Sequence, residues 1–384
     1  MKKLLWQPPR LRIGGGGEEE RHATWLELFY DLLFAAVVAQ LTFELSLDIS
    51  PFGVLSFILL CIPVWWAWVG QSFYATRFDT DDLGHRIFII AQMFAVAAMA
   101  VNVRAGLSSG SAGFALSYAA LRFLLVGEYY GAYVSVPIAR PLTRKFSLGF
   151  GMAATIWLIS ALAPPPYRFI LWGLGLCVDF ATPLTAGKLH SQLAPHASHL
   201  PERFALFTLI VLGESITGVV SGLTRQQWGL WSALGAMLGL STAFSLWWVY
   251  FDNIDGAAIR AARNRGRIWL YQAWLYAHIP LVTGMAASAV GVQYVIASPQ
   301  DLALAVAARW LLCGAVAVVL LAVGGIQLAI GVGRDEPQKT RLVFRFGGAA
   351  TVLLLAGFGQ FTPVVVMSLV ALVCAFQVIQ ELYA

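Results

Sequence analysis

The stretch TWLELFYDLLFAAVVAQL, residues 24–41, carries Glu27 and Asp31 in an otherwise apolar run. Four residues apart, the two carboxylates share one helix face. A charge at the centre of a membrane span costs about 2.5–3.5 kcal/mol, so such groups face a bundle interior or a water path and find partners there. Glu27 also fits a plain structural role, an acid at the positive end of a helix dipole. Asp31 lies about 10 Å into the helix and fits that role poorly. Water, a cation or a partner must reach it, which makes it the stronger candidate for a solute or ion pathway.

Further charges lie inside apolar runs at Arg122, Glu128, Asp179, Glu214 and Arg309, and His278, Gln40 and Gln92 add polarity. Asp31, Glu128 and Asp179 fall at similar depth and could form a ring of acids, which suits H⁺ or an alkali cation. The plainer reading is that each is a satisfied interior pair. Arg122 and Arg309 must be paired. Depth suggests Gln40 or Glu44 for Arg122 and Glu214 for Arg309, as a packing clamp or as a gate. Small residues around Glu214, including Gly218, permit close helix approach. His278 precedes Pro280 and fits either a bond to carbonyls freed by the proline or a proton-relay or substrate contact. HSQLAPHASHLPER holds His190, His196, His199 and Glu202 before Arg203, but its prolines mark a polar loop rather than a metal site, with His199 capping or orienting Glu202. The four cysteines, all in apolar runs without CxxC spacing, imply neither disulfides nor zinc. Phosphate loop, dinucleotide fingerprint and nucleophile elbow are absent from the sequence, so neither a soluble-type enzyme nor a cofactor is expected.

Long apolar helices must position these groups. Of the 384 residues, 59% are hydrophobic and 12% charged, with mean hydropathy +0.73. Soluble domains are nearer half apolar and a quarter charged, so the chain is expected to be an all-α integral membrane protein partnered by the lipid bilayer. At about 20 apolar residues per span, twelve spans are expected: 24–46, 51–74, 85–106, 112–136, 146–163, 166–187, 202–222, 227–252, 268–297, 302–332, 342–358 and 360–382. The N-terminal tail and the even-to-odd connections then hold 20 of the 25 cations, among them Arg77, Arg86, Arg203 and Arg345. The positive-inside rule places that side, and both termini, in the cytoplasm. The positive net charge is thereby an orientation signal, and nucleic acid is not an expected partner.

The halves resemble each other. LRFLLVG (121–127) matches ARWLLCG (308–314), FGMAAT (150–155) matches FGGAAT (346–351), VWWAWV (64–69) matches LWWVYF (246–251), and LELF (26–29) matches PERF (201–204). The order is kept and the separations are 175 to 196 positions. Six spans per unit insert both units the same way, a parallel repeat with a substrate path between the units. The expected organisation is a disordered tail 1–22 and two six-helix repeats, 23–188 and 189–384.

HATWLELFYDLLFAAVVAQL and HLPERFALFTLIVLGES, supported by LWWVYFD and HIPLVTGMAASAVG, resemble the bacterial low temperature requirement A (LtrA) family over about residue 20 to 384. The resemblance implies a multi-span protein of the bacterial inner membrane and brings no established substrate. A weaker similarity is to potassium channels with two six-helix repeats, but Tyr30 stands where their motif has Ser, and the second repeat reads RFAL, with no Asp. The leading expectation is a secondary transporter, with proton coupling as an option, moving a small solute or cation past intramembrane carboxylates. A cation channel lined by the first and seventh helices is the second, and a lipid-binding or lipid-modifying protein the third. An oligomer is compatible with all three.

Overall fold

A computed structural model describes residues 7–12, 23–80, 82–193, 195–226, 229–252, 257–265, 267–331, 336–358 and 360–383. Of the described residues, 85% are helical. In order come β1 (Arg10–Leu11), α1 (Trp25–Leu47), α2 (Pro51–Arg77), β2 (Phe78–Asp79), α3 (Leu83–Val103), α4 (Ser111–Ser135), α5 (Arg140–Leu162), α6 (Tyr167–Leu184), α7 (Gly187–Gln192), α8 (His199–Thr224), α9 (Leu230–Phe251), α10 (Ala257–Arg265), α11 (Ile268–Ala297), α12 (Val306–Gly331), α13 (Glu336–Gly357) and α14 (Pro363–Tyr383). Ten of these are long and apolar enough to cross a membrane. Of the remaining four, α7 and α10 are short. The other two, α4 and α6, are long but carry Arg122 and Glu128, and Arg168 and Asp179, respectively.

The helices turn large apolar side chains outward as well as inward. On α1, Trp25, Phe29 and Leu32 are 88%, 56% and 58% exposed, whereas Asp31 is fully buried. An apolar outer face around buried charge is stable only where the surroundings are hydrocarbon. Local signals set the helix starts. Thr24 and Glu27 form a capping box: Glu27 Oε2 accepts from Thr24 N (2.7 Å), and Glu27 N donates to Thr24 Oγ1 (3.3 Å). Asp82 caps α3 by accepting from His85 N at 2.7 Å.

The chain divides into two compact units, one of 1–41, 59–203 and 256–272 and one of 42–58, 204–255 and 273–384. The main division falls between Arg203 and Phe204, inside α8. In the first unit α3, α4, α5 and α6 pack in succession; in the second α12 packs on α13, and α14 on α13 and α9. The core of the first unit includes Tyr74, Phe78, Tyr129, Phe146 and Phe150.

Three expectations change here. Positions 7–12 of the expected disordered tail are placed as a strap, while 1–6 and 13–22 lie outside the described residues. In the strap, Arg10 and Leu11 pair with Asp79 and Phe78, Arg12 N donates to Arg77 O (2.8 Å) and Gln7 N to Asp82 Oδ2 (2.5 Å). Leu11 packs against the aromatic core, so apolar burial and ladder bonds hold the segment. Arg345, expected in a connection, is buried in α13, because α14 supplies it with a carboxylate. Arg77 ends α2 and is buried over the Phe73 and Phe146 rings, its Nε donating to Leu193 O (2.9 Å).

Candidate functional site

In the first unit the start of α8 meets the start of α1. Arg203 reaches two acids at once, Asp31 Oδ1 through Nη2 (2.6 Å) and Glu27 Oε1 through Nη1 (3.2 Å). Trp68 Nε1 on α2 also donates to Asp31 Oδ1, at 2.7 Å. His199 Nε2 stands 3.5 Å from Glu27 Oε2. His199 was expected to serve Glu202; it faces Glu27 instead, because it opens α8 on the same side as Arg203 four residues on. Glu202 accepts from Ala23 N at 3.5 Å. Contacts 27–199 and 31–203 share one sequence offset, so the two helix starts run parallel. In the second unit Thr42 Oγ1 donates to Glu214 Oε2 (2.7 Å) at that same offset of 172.

A second cluster lies beside the first. Glu128 on α4 accepts from Gln92 Nε2 (2.8 Å) and Gln71 Nε2 (3.4 Å), and His85 Nδ1 is 3.5 Å from its Oε1. Gln92 Nε2 also donates to Gln71 Oε1, at 3.2 Å. A cavity of about 260 Å³ opens against both clusters; its lining includes Glu27, Arg203, Tyr30, Gln71, His85 and Arg86. A smaller one of about 70 Å³ is lined by Glu128, Asp82, and Gln7 and Pro9 of the strap. His85 and Thr80 line both cavities. Tyr30 lies within electrostatic reach of Glu128, Asp31, Arg203 and Arg122.

The third cluster is sealed. Arg122 is 1% exposed and Asp179 fully buried; Nε lies 3.2 Å from Oδ2. Tyr118 Oη donates to Asp179 (2.6 Å) and accepts from Arg122 Nη2 (2.8 Å), and Arg122 also donates to Trp66 O. Phe150 and Tyr118 rings cover the guanidinium. The partners expected for Arg122, Gln40 and Glu44, are half-buried on α1, and Asp179 on α6 takes that place. Asp31, Glu128 and Asp179 thus have separate partner sets rather than one shared ring, since each finds its own donors. Nor are Arg122 and Arg309 alike. Arg122 sits mid-helix, while Arg309 is in the first turn of α12 and donates to Ala356 O (2.9 Å). The Glu214 bond leads to Thr42 rather than to the expected Arg309.

In the second unit Glu381 on α14 pairs with Arg345 and with Arg341 (3.1 Å) on α13, and Arg345 Nη1 donates to Gln377 Oε1 (2.8 Å). His278 is buried, with Nδ1 2.7 Å from Trp274 O and Nε2 3.1 Å from Tyr250 Oη. Its carbonyl partner is thus one turn back, at Trp274; the carbonyl that Pro280 leaves without its usual donor is Tyr276 O. Close approach at Gly218 holds: a Cβ there would fall 2.3 Å from Ala289 O. His196 Nδ1 makes a local turn contact with Ser198 Oγ (2.9 Å), and the His190 side chain lies outside the described residues. Among the described residues, no group of three His, Cys, Asp or Glu is placed to hold a metal.

His85, Trp68, Gln71, Tyr118 and Glu381 were not singled out from sequence. Two of them left a signal. His85 stands seven residues before Gln92, and Tyr118 four before Arg122, each pair on one helix face.

Apolar helices facing outward around buried charges define a polytopic α-helical membrane protein. Within that class, the description "Bacterial low temperature requirement A protein (LtrA)" matches residues 22–379, and the chain belongs to this family. A relative from Rhizobium meliloti (strain 1021), itself described as uncharacterized, is 26% identical over 316 residues, covering 75% of this chain and 76% of the relative.

Proposed function

We propose that the protein is a secondary transporter of a small polar solute. One observation carries this: a cavity of about 260 Å³ ends on Glu27 and Arg203, with Asp31 buried behind the guanidinium. The groups over the cavity are of both signs, Glu27 against Arg203 and Arg86, with Thr24, Thr80 and Gln71 as neutral hydrogen-bonding groups. Such a lining suits a small solute carrying charge or strong dipoles. The pathway role accordingly shifts from Asp31, which is sealed, to Glu27, which lines the cavity.

In this proposal the chain crosses the bacterial inner membrane twelve times as two parallel six-helix repeats, with both ends cytoplasmic. The parallel start of α1 and α8 supports it, because an even number of crossings must then separate them. Four of the ten apolar spans precede α8, so α4 and α6 must both cross or both not. α4 spans about 38 Å at 1.5 Å per residue and packs between α3 and α5, which favours crossing. Supporting the repeat, Lys145 donates to Thr185 O and Arg341 pairs with Glu381. Both partners are displaced by 196 positions, as Phe346 is from Phe150.

The test uses proteoliposomes loaded with a pH-sensitive dye and challenged with panels of amines, carboxylates and amino acids. The expected result is solute-driven proton movement in the wild type that is lost in Glu27→Gln. Failure of the whole panel, with conductance in a planar bilayer, would replace this reading with a cation channel. The channel reading draws on the meeting of α1 and α8, the arrangement a two-repeat pore requires.

A further inference from the structure

We infer that the exchangeable proton of this protein binds at the Glu128–His85 pair, and not at Asp31. Of the four acids that α1, α4 and α6 carry in the first unit, Glu27 and Asp31 share Arg203, and Asp179 faces Arg122. Glu128 differs. Its hydrogen bonds come from the amides of Gln71 and Gln92, and His85 Nδ1 lies 3.5 Å from its Oε1, with no arginine paired to it among the described residues. Amide donors orient a carboxylate without cancelling its charge. A proton arriving at His85 Nδ1 or at a Glu128 oxygen raises the charge of the pair by one.

The route is also present. His85 lines both cavities, and Glu128 lines the smaller one, so water in either space reaches the pair. Asp82 and Glu27 are the other acids acting on His85; Tyr30, Tyr74 and Tyr129 lie within electrostatic reach of Glu128; Arg86 lines the larger cavity. Use of this proton to drive solute rests on the transporter reading, whereas its binding does not.

The protein has six histidines, so ¹⁵N-histidine NMR in nanodiscs resolves them, with His85→Gln identifying its resonance. The His85 ring is expected to show a titration. Glu128→Gln should displace the midpoint by about one pH unit, as an ion-pair partner at this range does, and Glu214→Gln should leave it in place. Glu128→Asp, which keeps the charge one methylene further back, should give a smaller displacement and serves if the Gln variant does not fold. A His85 ring that does not titrate, or a midpoint indifferent to both Glu128 variants, overturns the inference. A coupled pair in a protein that moves no solute overturns the transporter reading alone.

Discussion

Arg122 and Arg203 are equally buried arginines of the same unit, and they have opposite surroundings. Arg122 faces one acid, with Tyr118 bonded to both and aromatic rings over its face. Arg203 faces two acids and stands at a cavity wall. The first is charge-balanced and closed, the signature of a clamp between helices α4 and α6. The second sets two carboxylates at one guanidinium beside an opening, and another acid, Glu128, lies nearby. Burial of charge is common to both clusters; the proposed site rests on the accessible space that only the second adjoins. The Arg345–Glu381 pair of α13 and α14 resembles the clamp in joining adjacent helices.

The sharpest way to break this comparison is to remove the single acid of the clamp. Asp179→Asn leaves a guanidinium buried without its counter-charge and should cost about 3–5 kcal/mol. Unfolding in mixed micelles, followed by tryptophan fluorescence, checks it, and Arg122→Met/Asp179→Leu should recover most of the loss. Asp31→Asn should cost less, about 1.5–3 kcal/mol, the value of a bond to a charged group, because Glu27 still faces Arg203. Equal losses in these two variants would erase the distinction between clamp and network. Gly70→Ala sharpens the geometry of the clamp. The added methyl would fall 2.5 Å from Arg122 Nη1 and 2.8 Å from Leu125 Cδ2, an overpacking expected to cost about 1–3 kcal/mol. Thr24→Ala, which removes the cap that holds Glu27 at the cavity, should cost about 1 kcal/mol. If Glu27 is only a capping residue, solute movement in that variant will match the wild type. Glu128→Gln should be nearly neutral for folding, under about 1 kcal/mol, since amide donors serve either acceptor. A large loss there would make Glu128 another clamp.

Much of the architecture was legible because apolar length and cation asymmetry report directly on a membrane environment. The acids Glu27, Asp31, Glu128 and Asp179 were legible as well, since each interrupts an apolar run. Their partners were not. Arg203 was read as a loop cation beside a proline, and it proved to be the residue that joins α1 to α8. Arg122 was matched by depth to Gln40 and Glu44, yet depth along one axis cannot distinguish six helices arranged around it. The strap at 10–11 was hidden because a two-residue ladder has no period to detect.

From the residues alone follow the class of protein, the family, the approximate helices and the presence of buried charge that demands partners. These depend on composition and local spacing, which no packing can change. Tertiary structure alone decided which charges are closed off and which meet a cavity. Compensation and access are properties of side chains from four or more helices converging in space: Asp31 disappears behind Arg203 and Trp68, whereas Glu27, one turn earlier, stays at the cavity wall.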